Sequence, residues 1–101
     1  FWLTCPGLIH AVSVLEGAGG VHALEEQVAA DADLATALDA AQARHAAMRD
    51  GLGIGGVRNL RAVKCLHAHV AFALGAPPYP IGEMLLAEAG GIPATCCMER
   101  A

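Results

Sequence analysis

The most reactive side chains of the sequence cluster at Cys65, His67 and His69. A thiol and an imidazole one helical turn apart can meet at a single atom. On a helix of about 3.6 residues per turn, Cys65, His69 and Phe72 follow the i, i+4, i+7 rule and share one stripe. His67, two residues from Cys65, points roughly the opposite way. This arrangement suits a metal. Zinc takes four tetrahedral ligands, with thiolate sulfur at about 2.3 Å and imidazole nitrogen at about 2.0 Å. The expected ligands are Cys5, Cys65, His67 or His69, and Cys96 or Cys97. Cys5 stands at a helix start, where the dipole favours a thiolate. Zinc comes first because histidine is present; an iron–sulfur cluster, which usually takes thiolates, comes second. The competing reading makes Cys5 and Cys65 small buried hydrophobes. Thiol catalysis by Cys5 with a histidine base has no orienting third residue to support it.

A second candidate is the glycine-rich run Gly51-Leu-Gly-Ile-Gly-Gly56. Its glycines formally match a dinucleotide fingerprint, but that motif must follow a strand, and a helical pattern precedes it here. No Gly-Lys-Ser/Thr closes it, so it is not a P-loop. What survives is an anion site. Free N–H groups before the central helix, with Arg58, Arg61 and Lys64 nearby, suit a negative group. Its expected residues are Gly53, Gly55, Gly56, Arg58 and Lys64. A binder of a phosphorylated or otherwise anionic small molecule requires one pocket joining this loop to His67 or Cys65.

The elements that position these residues read as helices. Thr4-Cys5-Pro6 starts the first, with Thr4 as cap, and Leu8, Ile9, Val12 and Leu15 give it an apolar face to about Glu16. Gly17, Gly19 and Gly20 stop it. Val21 to Ala30 forms a second short helix. Asp31 or Asp33 caps a third, which runs to about Arg49 through Leu34, Leu38, Ala41, His45 and Met48. The central helix is expected to include Leu60, Val63, Leu66, Val70 and Leu74 on one stripe. Gly75 to Pro80 ends it, because proline cannot continue a helix and disfavours one at the residue before it. Ile81 to Ala89 forms the last helix. Phe1-Trp2-Leu3 reads as the end of a strand, with Trp2 and Phe72 as core anchors. His10 and His22 read as surface residues, and His45 as a satisfied core or boundary histidine.

The chain has 101 residues, a size that suits one domain. Aromatics are 4% of it, so Ala, Leu, Val and Ile must build the core. The net charge of −4 argues against nucleic acid as a partner. No run of roughly 18 apolar residues predicts a membrane span. No basic n-region leads into an apolar one, so no signal peptide is expected, and a start at Phe1 without Met suggests a fragment or short form. Reduced thiols are expected from the helical character and the missing secretion signal.

At Phe1-Trp-Leu-Thr-Cys-Pro6, Leu15-Glu16, Gly53-Ile-Gly-Gly-Val-Arg58, Val63-Lys-Cys-Leu-His-Ala68 and Pro80-Ile-Gly82, the chain resembles the bacterial domain of unknown function 501 family. The resemblance covers nearly the whole chain. It implies a small, mostly helical cytoplasmic bacterial protein with no established activity. Many members resemble this chain but carry a further N-terminal segment with more cysteines; if that segment supplies ligands, the site in this sequence is incomplete.

The expectation is therefore an all-α, irregular or orthogonal bundle of four to five helices, with a Gly-rich loop before the central helix. Residues 1–101 form a single domain, and 92–101 an irregular Cys-containing tail. The first functional expectation is a cytoplasmic zinc or iron–sulfur module, with Cys5, Cys65, His67, His69 and Cys96 as ligands. The alternatives are a helical module that pairs with a protein partner or with a second copy, and a binder of, or enzyme on, an anionic small molecule at Gly51–Gly56. No catalytic residue is assigned.

Overall fold

A computed structural model describes residues 1–92. It is all-α, with helices α1 (Pro6–Gly17), α2 (Gly20–Ala30), α3 (Ala32–Met48), α4 (Leu66–Gly75) and α5 (Pro80–Glu88). The local signals account for most of the boundaries. Pro6 and Pro80 sit in the first turns of α1 and α5, where a missing N–H has no intrahelical acceptor to lose. The Asp31 carboxylate caps α3 by accepting from the N–H groups of Asp33 and Leu34. Gly19 turns the chain between α1 and α2 with a φ of 86°. The N-cap of α1 is Cys5 rather than Thr4. Residues 1–3 are irregular rather than a strand.

The start of α4 departs from the expected pattern. The apolar stripe predicts helix from Leu60, but α4 begins at Leu66. Lys64 lies in the left-handed region, with a φ of 66°, and no helix passes through such a residue. A carboxylate from elsewhere then starts the helix. Glu16, in the last turn of α1, accepts from the Leu66 N–H at 2.6 Å and lies 3.1 Å from His67 Nδ1. Negative charge at a helix N-terminus is worth about 0.3–1 kcal/mol, and more when partly buried. Cys65 is therefore the N-cap of α4, with extended backbone, and does not share a helical stripe with His69 and Phe72.

α4 is the most buried helix, covering Leu66, His69, Val70, Ala71, Phe72 and Ala73. α5 turns back on it at 115°, and α1 also packs against it. Gly82 permits the crossing. A Cβ there would lie 2.5 Å from the His69 carbonyl oxygen and 2.6 Å from Ala73 Cβ. Leu8 and Val12 of α1, Leu24 and Val28 of α2, and Leu38 and Ala41 of α3 complete the core with Ile54, Tyr79, Ile81 and Leu85. Phe72 anchors this core, as its type predicts, but Trp2 is 91% exposed. Phe1 takes the packing role instead, edge-on to Phe72 at 5.1 Å. No helix among the described residues is long and apolar enough to cross a membrane.

Candidate functional site

Three buried polar side chains, Gln42, His45 and His69, hold the irregular stretch between α3 and α4 in place. The Gln42 carbonyl oxygen accepts from the Ile54 N–H at 2.7 Å, and its amide donates to the Ala62 carbonyl at 3.3 Å. Gly53 fits beside it only because it lacks a Cβ, which would meet Gln42 Oε1 at 2.6 Å. Replacing Gln42 by Leu leaves the buried Ile54 N–H without an acceptor, at a cost of about 1–3 kcal/mol. Urea unfolding is expected to show that loss as a lower midpoint with an unchanged slope.

His69 is fully buried on α4. Its Nε2 lies 3.0 Å from the Val63 carbonyl, which can only accept, so Nε2 carries the hydrogen. Nδ1 then accepts from the Tyr79 hydroxyl at 2.6 Å. Burial lowers the pKa of His69 from 6.5 to about 4; the Val63 hydrogen bond opposes this and the nearby His45 adds to it. Burial likewise pushes the Tyr79 hydroxyl up, so it keeps its proton as a donor. Both nitrogens of His69 are thus occupied within the fold. Those of His67 are occupied as well, Nδ1 by Glu16 and Nε2 by the Ile9 carbonyl and Ser13 Oγ, each at 3.1 Å.

Cys5 is disulfide-bonded rather than a free thiol, whereas Cys65 is free and half-buried. The described residues bring no three His, Cys, Asp or Glu side chains together around a common point for a metal. Cys96 and Cys97 lie outside the described residues.

The glycine-rich connection behaves differently. Gly55 and Gly56 are consecutive left-handed residues, with φ values of 80° and 78°. With Lys64, Cys65 and His67 they form part of the wall of one cavity of about 610 Å³. Phe1, Trp2, Leu3, Ile9, Leu52 and Ile54 supply its apolar lining. His45 and Arg49, at the end of α3, complete it. Two of the expected anion residues stand elsewhere. Gly53 is buried behind Gln42, and exposed Arg58 is not in the wall. Arg61 is drawn away to Asp39, with Nε 2.9 Å from Oδ1.

The cations of the wall are Arg49 and Lys64, and no carboxylate shares it among the described residues. Among the described residues Lys64 Nζ donates once, to the Gly55 carbonyl at 2.9 Å, which leaves two of its three ammonium hydrogens for another acceptor. A mostly apolar lining with two cations is the usual composition of a small-molecule site, and the volume lies within the common range of about 300–1,000 Å³. Periodicity placed His45 on the buried stripe of α3 but did not show that its ring faces a cavity. Arg49, four residues further on, carried the only available hint, since i and i+4 share a helix face.

No curated protein and no solved structure matches this chain. The family model described as protein of unknown function (DUF501) matches residues 1–52 and 50–87, and the chain belongs to that family.

Proposed function

We propose that this domain binds a small organic anion with an apolar body, held in the cavity between the Gly55–Gly56 turn and the end of α3. One observation carries the reading: a single cavity joins the glycine turn and Lys64 to Cys65 and His67. Separate surfaces would have counted against it. Its two cations stand in a chain of net charge −4, so the local charge opposes the overall one. The apolar wall supplies most of the contact, and Arg49 and Lys64 orient the charged end. Metal binding by Cys65, His67 and His69 has less support, because the four ring nitrogens already hold partners inside the fold.

The chain contains one tryptophan, and that residue lines the cavity. Its emission is therefore a direct reporter of occupancy. Titration with octanoate is expected to shift the emission saturably, and the neutral octanol is expected to bind more weakly. Replacing both Arg49 and Lys64 by Ala is expected to weaken octanoate roughly tenfold, as loss of about 1.4 kcal/mol of charge-assisted bonding would. Octanol should be nearly indifferent to the change. Equal losses for the two probes would show that the cations do not hold the head group, and no shift with either would remove the reading.

A further inference from the structure

His45 has a feature that packing alone does not explain. It is only 6% exposed and packs against the rings of Phe1 and Phe72. Its Nδ1 lies 2.8 Å from the Leu52 carbonyl oxygen. A carbonyl only accepts, so Nδ1 carries the hydrogen, and in the neutral ring Nε2 presents a lone pair. That lone pair has no hydrogen-bond partner among the described residues, although no side-chain nitrogen or oxygen is sealed off without one. Nε2 therefore keeps some accessible surface, and His45 lines the cavity, which makes the cavity the space open to it.

We infer that His45 Nε2 is the specificity-determining acceptor of the cavity, and that the ligand is a hydroxylated organic anion whose O–H donates to it. This rests on the anion-binding reading above and deepens it. The position of the hydroxyl follows from the helix. His45 lies in the last turn of α3 and Arg49 is its C-cap, four residues further on, and both line the cavity. The hydroxyl is therefore close to the acidic group, as in a 3-hydroxy acid, and the apolar remainder extends along Leu52, Ile54 and Ile9. A ligand without the hydroxyl would cover the lone pair and leave it dry. A buried acceptor stripped of its partner loses affinity, which is how a site built to bond a hydroxyl rejects the analogue that lacks one.

The test compares octanoate with each enantiomer of 3-hydroxyoctanoate at pH 8, by the emission of Trp2 and by calorimetry. The wild-type protein is expected to bind the better enantiomer about five- to tenfold more tightly than octanoate. In His45→Asn, whose amide can still donate toward Leu52, that preference should fall to about one while octanoate affinity stays within about twofold. In His45→Phe, which keeps the ring contacts with Phe1 and Phe72, the same collapse is expected. The wild-type comparison stands even where a variant does not fold. Equal affinities in the wild type, or a preference that survives both variants, overturns the assignment of His45 and leaves the anion site standing. Failure of octanoate and of both hydroxy acids to bind overturns the anion site itself, and this inference with it.

Discussion

Replacing Gly82 by alanine is expected to lower the melting temperature by more than about 10 °C. In an exposed helix the same change would raise stability by about 1 kcal/mol, because alanine is the better helix former. At Gly82 the sign reverses. The new methyl group would sit 2.5 Å from the His69 carbonyl oxygen and 2.9 Å from Tyr79 Cδ2. The carbonyl belongs to helical backbone and cannot turn aside as a long side chain can. Overpacking of this kind costs about 1–3 kcal/mol, sometimes more, and each kcal/mol moves the midpoint of a domain this size by about 4–8 °C. Differential scanning calorimetry of the wild type and Gly82→Ala gives the answer directly. A midpoint that rises by a few degrees would show that α4 and α5 have room to separate.

The second large effect is acid sensitivity centred on His69. Its folded pKa of about 4 lies below the 6.5 of the exposed group. Between these values the unfolded chain takes up a proton that the folded one refuses, so the unfolded state binds more protons and stability rises with pH. The contribution is complete above about pH 6.5, falls as the solution is acidified, and levels off below about pH 4. Its full size is on the order of 3 kcal/mol, from about 1.4 kcal/mol per pKa unit. Urea unfolding at pH 7, 5.5 and 4.5 should show the decline. In His69→Gln that part of the slope should vanish, although the variant starts from a lower stability at neutral pH. An unchanged slope in the variant would assign the acid sensitivity to other groups.

The readable part of the sequence was its local chemistry. Pro6, Asp31, Gly19 and Pro80 act on their own neighbours within a turn, so the five helices and most of their ends follow from them. The start of α4 did not follow, because its determinants are not local. Leu60 and Val63 match the helical stripe, yet Lys64 takes a positive φ and the first bonded N–H, that of Leu66, finds its acceptor in Glu16. Trp2 was misplaced for a similar reason. Aromatic type predicts burial, but the slot beside Phe72 holds Phe1.

The site divides in the same way. Gly55, Gly56, Lys64, Cys65 and His67 share the cavity, whereas Gly53 packs against Gln42, Leu60 and Val57 and Arg58 lies outside the wall. His45 could be read as buried. That one of its nitrogens opens onto a cavity depends on Leu52 taking the other, and no spacing rule carries that information.

The carboxylate of Glu16 also bears on how the chain assembles. α4 has ten residues, fewer than the roughly 12–15 an isolated helix needs to persist in water. Its first free N–H is met by a residue 50 positions earlier. The helix that carries Phe72 and His69 is therefore not a seed around which the rest condenses. A peptide covering residues 60–76 is expected to be largely coil by circular dichroism, because the contacts that hold α4 come from α1 and α5.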